Sequence, residues 1–306
     1  MGYFGFTGFA GGLEVHNDIT PGYLLNFGTE EQKQQWLPRM VSGEAVTAIA
    51  MTEPNAGSDL KNIRTTARRE GDEYIVNGSK IFISNGQHAD MIVLAAKTDA
   101  NAGARGISLF LVDANTPGFS RGTNLDKVGQ KCADTSELFF SDMRIPASAL
   151  LGNENQGFVQ MMKELPRERL IIAALALGGA QGALAQTLAY VQERQAFGAP
   201  IAALQNTRFK VAELHTQLLA NAALLQQGIA AYERGELSAE DAAAIKLSTT
   251  EMQGRVTDEC LQLFGGYGYM TEYPISRMWA DARVQRIYGG TSEIMKEVIA
   301  RGLLPR

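Results

Sequence analysis

An abrupt change in residue pattern near position 152 limits how this chain can fold more than any other feature. Over residues 45–152, short runs of β-branched and aromatic residues are separated by Gly, Asn and Asp, which is typical of strands joined by turns. From Phe158 onward, Ala, Leu and Gln recur at helical period. This second pattern predicts long helices at about 161–196, 205–234 and 239–264.

The first 44 residues predict two short helices. One spans Asp18–Phe27, and the other opens at Thr29 with two glutamates in its first turn, where the helix dipole favours acidic groups. We therefore expect an α+β multidomain protein with remnant N-terminal helices, a central β-barrel or sandwich domain, and a C-terminal four-helix-type bundle. The predicted domain ranges are 1–44, 45–152 and 153–306. Aromatic residues alternate with glycine in MGYFGFTGFAGG, as in an interior loop, so we expect an N-terminally shortened chain.

Composition excludes several classes of function. The net charge of −5 argues against a nucleic-acid partner, because phosphate binding needs a basic field. The longest uncharged apolar run, Leu170–Ala180, is too short to predict a membrane span. Cys132 and Cys260 lie far apart without metal-ligand neighbours, so no disulfide framework and no metal site is predicted. No secretory or other targeting signal is present in this sequence, and we expect a cytoplasmic, reducing location.

The tail from Gly265 to Met295 concentrates glycine pairs and tyrosines after a helical region. The pair Gly265-Gly266 allows close approach of the backbone to another group. The pair Gly289-Gly290 precedes Thr291, which is a good N-cap for a closing helix at Ser292–Arg301. Each pair alone could simply end a helix. Two such pairs around one aromatic segment favour contact with a ligand or a neighbouring subunit.

Two segments of the β region carry polar and aromatic residues close together. AMTEPNAGSDL leads from a strand into a turn, and NGSKIFISNGQHAD places Phe82 and Ser84 on one face of a strand. Taken alone, the first is an ordinary turn. The second is an ordinary hairpin with Asn77-Gly78 as its turn.

Together with the tail, these segments resemble the acyl-CoA dehydrogenase family, flavoenzymes of fatty acid β-oxidation that desaturate acyl-CoA thioesters. The resemblance runs from about residue 16 to the C-terminus. Within the family, the sequence looks most like the long-chain and isovaleryl-like branch. Five segments occur in the family's order: MTEPNAGSD, GSKIFISNGQHAD, ERQAFGAPI, QLFGGYGYMTEYP and DARVQRIYGGTSEIM.

The resemblance implies an FAD site with two groups of residues. The isoalloxazine and pyrophosphate contacts would come from Met51, Thr52, Ser58, Phe82 and Ser84. An aromatic wall, hydroxyl groups and small residues suit a flavin. The dinucleotide contacts, several of them to a neighbouring subunit of a homotetramer, would come from Arg194, Phe197, Gln205, Gln262, Gly265, Gly266, Thr291 and Glu293.

The resemblance also bears on the catalytic base. Many members of the family have a glutamate directly after the tail tyrosine, but here Tyr288 is followed by Gly289. Other members place the base directly before an arginine at the start of an apolar helix, and Glu168-Arg169 matches that pattern, with Pro166 suited to the first turn. The resemblance thus assigns the base to Glu168, the donor that polarises the thioester carbonyl to the Gly289 N–H, and substrate contacts to Ser58, Arg169 and Tyr288.

Two readings of Glu168 stay open from sequence alone. A glutamate in a first turn also serves as a cap for the helix dipole, and Glu164 lies one turn earlier as a competing base. The expected function is FAD-dependent α,β-desaturation of an acyl-CoA, with electrons passed to an electron-transfer flavoprotein. Two alternatives are an acyl-CoA oxidase-like flavoprotein and a truncated, catalytically impaired scaffold subunit.

Overall fold

The computed structural model describes residues 1–304, which form two compact units. The sheet unit consists of Gly11–Asp126 and Cys132–Glu164, and the helical unit consists of Met1–Ala10, Lys127–Lys131 and the chain from Leu165 onward. These units cut across the three predicted ranges, and that three-domain division stays a prediction. The order of elements is N-terminal helices, a central sheet domain and a C-terminal helical domain, as the sequence predicts.

The N-terminal helices are longer than predicted. Helix α1 spans Thr7–Glu14, a π-helical turn at Val15–Ile19 follows, and α2 spans Thr20–Phe27. The predicted helix at Asp18–Phe27 is therefore the last part of a continuous helical run. Helix α3 spans Glu30–Ser42, and Thr29 forms a reciprocal capping box with Gln32 at its start.

The sheet domain contains one mixed sheet of eight strands. The strands are β1 Thr47–Ala50, β2 Thr66–Glu70, β3 Glu73–Ser84, β4 Met91–Lys97, β5 Ile107–Asp113, β6 Phe119–Asn124, β7 Thr135–Pro146 and β8 Leu150–Leu151. Their order is β6-β7-β3-β2-β4-β5-β8, and β1 pairs in parallel with β4. Most neighbours are antiparallel, but the parallel pairing of β4 with both β1 and β2 makes the sheet mixed.

Strand β4 is buried on both faces, which explains its continuous apolar sequence. Ile92, Leu94 and Ala96 pack in one core, where the rings of Tyr74 and Phe110 meet edge to face at 4.9 Å. The alternate residues Met91, Val93 and Ala95 pack in a second core with Tyr23, Leu24 and Trp36 from α2 and α3. Full burial of each large apolar side chain contributes about 1.5–3 kcal/mol.

Strand β3 is interrupted by two register shifts, and the alternative interpretation of this segment, a hairpin with its turn at Asn77-Gly78, is wrong. The turn joining β2 to β3 lies at Gly71-Asp72, and Gly78 lies inside β3 at the first shift. A Cβ at Gly78 would lie 2.7 Å from the Cα of Thr65, so close backbone approach requires glycine there. At the second shift Phe82 has a φ of 61°, and buried Ile83 separates Phe82 from Ser84 as strand alternation predicts.

The C-terminal helices lie close to their predicted positions, apart from the start of the first. The elements are α4 Gly157–Glu193, β9 Gln195–Ala196, β10 Ala199–Pro200, α5 Gln205–Glu233, α6 Ala239–Phe264, α7 Pro274–Ala282 and α8 Ser292–Leu303. Ser238 caps α6 by accepting from the Asp241 N–H, and Thr291 caps α8 by accepting from the Ile294 N–H. Gly265 ends α6 with a φ of 60°.

Helix α4 begins at Gly157, so Pro166 lies inside it and not in its first turn. Glu168 is consequently the twelfth residue of the helix, too far from its N-terminus for the capping interpretation to hold. Helix α4 is also long and apolar enough to cross a membrane by length and composition, which differs from the expectation of no such span. Of its most apolar window, 67% is buried inside the protein, which indicates a core helix.

The helical unit has a large core formed by facing residues of four helices. The contributing side chains include Ala173, Leu177 and Leu184 of α4, Leu214 and Leu218 of α5, Met252 and Val256 of α6, and Ile275 and Met278 of α7. The segment Lys127–Lys131 joins this unit because the Gln130 N–H donates to the buried Asp281 carboxylate. Burial raises the pKa of Asp281 in spite of that hydrogen bond.

Gln32 generates a prediction about the stability of the sheet unit. Its buried side-chain amide donates to the carbonyls of Ser148 and Leu150, at 2.8 and 3.0 Å. Replacing Gln32 with Leu removes both donors, and we expect the free energy of unfolding to fall by about 2–4 kcal/mol. Urea unfolding followed by circular dichroism measures this, with the exposed Gln34→Leu on the same helix as a control that changes stability by less than about 0.5 kcal/mol. Equal losses of stability in Gln32→Leu and Gln34→Leu would contradict a stabilising role for the two Gln32 hydrogen bonds.

Candidate active site

The sheet unit holds the loop after β1 against β3, and this places the predicted flavin contacts side by side. The Lys80 ammonium donates to the Met51 carbonyl at 3.0 Å, and the Ile81 N–H donates to the Thr52 carbonyl at 3.0 Å. Met51 and Thr52 are therefore fixed beside the segment of β3 that carries Phe82. The sequence predicted these residues as one group, and the structure brings them together.

A buried ion pair anchors this arrangement, and the sequence analysis missed it. Lys80 is fully buried, and its Nζ lies 2.8 Å from Glu53 Oε1. The Glu53 carboxylate also accepts the backbone N–H groups of Arg64 and Thr65, at 2.5 and 3.0 Å. Burial lowers the pKa of Lys80 to about 8, against the pull of Glu53. Burial opposes ionisation of Glu53, but the Lys80 charge and the donors hold its pKa below the ordinary value.

Phe82 presents an aromatic face outside the core. Its side chain is 63% exposed, and its φ of 61° is rare for a bulky residue. Ser84 is half-buried, and Ser58 is exposed in the loop after the Glu53–Ala56 turn. An exposed aromatic ring near hydroxyl groups can hold a flat heteroaromatic ligand.

The helical unit contains an open cleft of about 510 Å³. Its lining residues are Tyr190, Arg194, Ile201, Gln262, Leu263, Phe264, Gly265, Gly266, Tyr267 and Met270. Four of the residues predicted to hold the dinucleotide line this cleft: Arg194, Gln262, Gly265 and Gly266. The Arg194 guanidinium lies 5.4 Å from the centre of the Tyr267 ring. This cation–π contact holds the positive charge at the surface of the cleft.

The two glycines of the cleft are there for different reasons. Gly265 has φ 60° and ψ −139°, a backbone conformation that essentially only glycine adopts. Gly266 has no positive φ, and a Cβ built on it would meet nothing within 4 Å. The folding of the unit therefore does not require glycine at 266, and the open space suits close approach of a ligand.

The other four predicted dinucleotide residues do not line the cleft. Phe197 lies at the tip of the β9–β10 turn and is 95% exposed, and Gln205 is the exposed first residue of α5. The Thr291 hydroxyl accepts from the Ile294 N–H, and Glu293 is exposed in the first turn of α8. Their roles toward a cofactor remain predictions.

Glu168 and the residue that contacts Gly289 lie one turn apart on α4. Glu168 is 6% exposed, and Ile172 lies one turn further along the same face. The Cδ1 atom of Ile172 lies too close to Gly289 to leave room for a Cβ there. The predicted base thus lies one helical turn from Ile172, and Ile172 fills the space beside the predicted N–H donor, Gly289. The roles of both residues stay predictions.

Arg169 adds a buried cation next to Glu168. Burial lowers the pKa of Arg169, and the Glu168 charge opposes that shift. Among residues 1–304, no hydrogen-bond partner is found for the buried Nε of Arg169. The competing base Glu164 belongs to the sheet unit, where its Oε1 accepts from the Asn26 side chain at 2.6 Å. Tyr288 is half-buried in the tail, and Ser58 belongs to the sheet unit.

Two charged residues of α6 contact the tail around the Gly289-Gly290 loop, and both were missed from sequence. Lys246 Nζ donates to the Gly290 carbonyl at 2.7 Å. Glu251 accepts from the Ser292 hydroxyl at 2.6 Å and pairs with Arg286 at 2.7 Å. The available signal was a lone lysine in AAAIKLSTT, at the spacing of helix positions that face the core.

Three sequence profiles of one family match the chain in order. They are acyl-CoA dehydrogenase, N-terminal domain, over residues 2–44, middle domain over 48–143, and C-terminal domain over 155–304. The chain is 48% identical to the long-chain specific acyl-CoA dehydrogenase, mitochondrial, of Rattus norvegicus, over 96% of this chain and 69% of that protein.

Solved structures agree with the sequence match. An acyl-CoA dehydrogenase from Geobacillus kaustophilus has a TM-score of 0.94 at 49% identity, covering 96% of this chain and 78% of that one. A chain from the structure of the electron transferring flavoprotein of Acidaminococcus fermentans has a TM-score of 0.94 at 40% identity, with the same coverage of 96% and 78%. This chain belongs to the acyl-CoA dehydrogenase family of FAD-dependent oxidoreductases.

The residues present fit FAD. The sheet unit offers the exposed Phe82 ring beside the fixed Met51–Thr52 backbone. The helical unit offers an open cleft with one guanidinium, Arg194, and unfilled space over Gly266. An aromatic surface and a cationic, glycine-lined cleft are the chemistry that a flavin ring and a dinucleotide need.

The Glu53–Lys80 pair generates a prediction about the sheet unit. Lys80→Met should lower the free energy of unfolding by about 3–5 kcal/mol, because Glu53 then keeps a buried charge without its partner. Glu53→Gln combined with Lys80→Met leaves no uncompensated charge and should recover at least half of that loss. Urea unfolding of the single and double variants gives the coupling. Strictly additive losses would contradict an energetic coupling between the two side chains.

Proposed function

We propose that this protein is an FAD-dependent acyl-CoA dehydrogenase of fatty acid β-oxidation that converts an acyl-CoA thioester to its α,β-unsaturated product. The observation that carries this proposal is the buried Glu168 on α4, one helical turn from the residue that contacts Gly289. A buried carboxylate on the helix that packs against a backbone N–H donor matches the demands of α-proton removal beside a thioester carbonyl.

FAD, when bound, supplies the acceptor for the β-hydrogen that leaves as hydride. We propose that Met51, Thr52, Phe82 and Ser84 contact its ring. Arg194, Gln262, Gly265 and Gly266 would hold a dinucleotide in the cleft of the helical unit. The exposed Phe197 side chain supports the proposal of contacts to a neighbouring subunit in a homotetramer. A large apolar side chain at the tip of a turn is stabilised when another subunit covers it.

Residues of the chain itself remove the α-proton and stabilise the charge that develops on the substrate. Glu168 takes the α-proton, and its burial keeps competing water away from the carboxylate. The Gly289 N–H donates to the thioester oxygen and stabilises the negative charge that develops there. The neighbouring Arg169 cation and the Glu168 carboxylate attract each other, which partly offsets the burial of the cation.

An electron-transfer flavoprotein is the proposed acceptor of the electrons. The similarity to a chain solved with the electron transferring flavoprotein of Acidaminococcus fermentans supports this partner. The burial of Glu168 and its neighbour Arg169 supports a working dehydrogenase over an impaired scaffold. Reoxidation of the reduced protein by air, measured in a stopped-flow instrument, tests the oxidase-like alternative.

Glu168→Gln tests the base. The amide keeps the size and hydrogen-bonding shape of the side chain but cannot accept the α-proton. We expect the rate of flavin reduction by acyl-CoA to fall by roughly two to four orders of magnitude, while FAD content and acyl-CoA binding stay close to those of the unmodified protein. Anaerobic stopped-flow absorbance at the flavin band measures the rate.

Glu164→Gln is the matched control, because Glu164 is buried one turn earlier and its side chain bonds to Asn26 in the sheet unit. It should lower stability and leave the reduction rate within about threefold. An unchanged rate in Glu168→Gln, or a loss confined to Glu164→Gln, would move the base away from Glu168.

Gly266→Ala tests the cleft. The added methyl meets no protein atom within 4 Å, so the free energy of unfolding of the cofactor-free protein should stay within about 0.5 kcal/mol. The methyl projects into the space proposed for the dinucleotide, and we expect FAD affinity to fall at least tenfold. Flavin fluorescence titration measures the affinity.

Gly178→Ala is the control for this exchange, since it lies inside α4 and its Cβ would approach Tyr3 N only to 3.8 Å. Its FAD affinity should equal that of the unmodified protein. Unchanged FAD affinity in Gly266→Ala would exclude the cleft as the dinucleotide site.

A further inference from the structure

Lys246 is a fully buried lysine in the middle of α6. Its buried neighbours along the helix are small or apolar, namely Ala242, Ala243, Ile245, Thr249 and Thr250. A buried ammonium costs several kcal/mol unless strong partners compensate its desolvation. Apolar packing alone therefore does not explain a lysine at this position.

The lysine holds a loop that has little rigidity of its own. Gly289 and Gly290 are consecutive and have φ values of 62° and 96°, and glycine pairs have wide conformational freedom. On one side of the pair, the Tyr288 N–H donates to the Val284 carbonyl at 3.1 Å. On the other side, the Gly290 carbonyl accepts from Lys246 at 2.7 Å. The Gly289 N–H lies between these two fixed points.

The charge of Lys246 is shaped by groups on several elements. Burial lowers its pKa to about 8, the Arg169 cation on α4 lowers it further, and Glu251 on α6 and Glu293 on α8 oppose the shift. The ammonium is therefore mostly charged near neutral pH. A charged donor makes a stronger hydrogen bond to the Gly290 carbonyl than a neutral one would.

We propose that Lys246 is a positioning residue that fixes the Gly290 carbonyl and thereby keeps the Gly289 N–H directed at the thioester oxygen. The inference rests on the proposed function, since it concerns the donor of that reaction. Lys246 touches neither substrate nor cofactor in this role. Its effect passes through two backbone units of the loop.

The experiment isolates proton removal from hydride transfer. An acyl-CoA analogue with sulfur in place of the β-carbon has no β-hydrogen to transfer. The protein can then only catalyse exchange of the analogue's α-hydrogens with solvent. Exchange in D2O, followed by proton NMR, reports base and carbonyl polarisation together. FAD content and analogue affinity are measured on the same preparations.

Two substitutions separate the hydrogen bond from general packing. Lys246→Met keeps length and removes the donor, and we expect α-hydrogen exchange to fall roughly 100-fold, the scale for loss of one oxyanion donor, with analogue affinity within threefold. Lys246→Gln keeps a neutral donor and should recover part of that loss. Ser292→Ala, which removes the bond to Glu251, is the structural control and should leave exchange within about threefold.

The outcomes separate this inference from the proposed function. Normal exchange in Lys246→Met with lowered stability would make Lys246 a structural anchor only and overturn the proposal. Equal losses of exchange in Ser292→Ala and Lys246→Met would overturn it as well. If Lys246→Met fails to retain FAD, the test uses the ratio of exchange rate to analogue affinity in Lys246→Gln. A ratio below that of the unmodified protein supports the proposal, and an unchanged ratio overturns it. Absence of exchange in the unmodified protein, or exchange unaffected by Glu168→Gln, would instead contradict the proposed function.

Discussion

Buried lysines that donate to backbone carbonyls fix the loops on which both parts of the site depend. Lys246 holds the Gly290 carbonyl in the helical unit, and Lys80 holds the Met51 carbonyl in the sheet unit. Both lysines are fully buried, and burial lowers the pKa of each to about 8. Such groups contribute little net stability compared with apolar residues of the same volume, but removing one partner is costly. This asymmetry makes them suited to fixing one loop conformation.

Features set by neighbouring residues were predictable from sequence. Thr29, Ser238 and Thr291 each cap the helix that follows, and each bonds to an N–H three residues later. An N-cap depends on residues within one turn, so its signal is local. The periodicity of the long helices is equally local, and α5 and α6 lie within a residue of their predicted bounds. The gathering of Arg194, Gln262, Gly265 and Gly266 followed from the resemblance.

Features set by distant contacts were not predictable. Helix α4 starts at Gly157, where a Cβ would lie 2.7 Å from the backbone carbonyl carbon of Ser108 in β5. Gly78 lies inside β3 and not in a turn because Thr65, the residue before β2, approaches it closely. Both glycines are required by tertiary approach, which sequence spacing does not record. The same holds for the partners of Lys80 and Lys246, since a lone buried lysine gives no indication of the carbonyl it holds.

Gly289 shows how the position of the base is tied to the rest of the helical unit. A glutamate at 289 would need a left-handed backbone, which costs a non-glycine residue of the order of 1–3 kcal/mol. Its Cβ would also meet the end of Ile172, on the helix that carries Glu168. A glycine at 289 therefore goes together with a carboxylate placed on α4. Transferring the carboxylate to the tail requires a smaller residue at 172 and a changed loop, and the loop is the part that Lys246 holds.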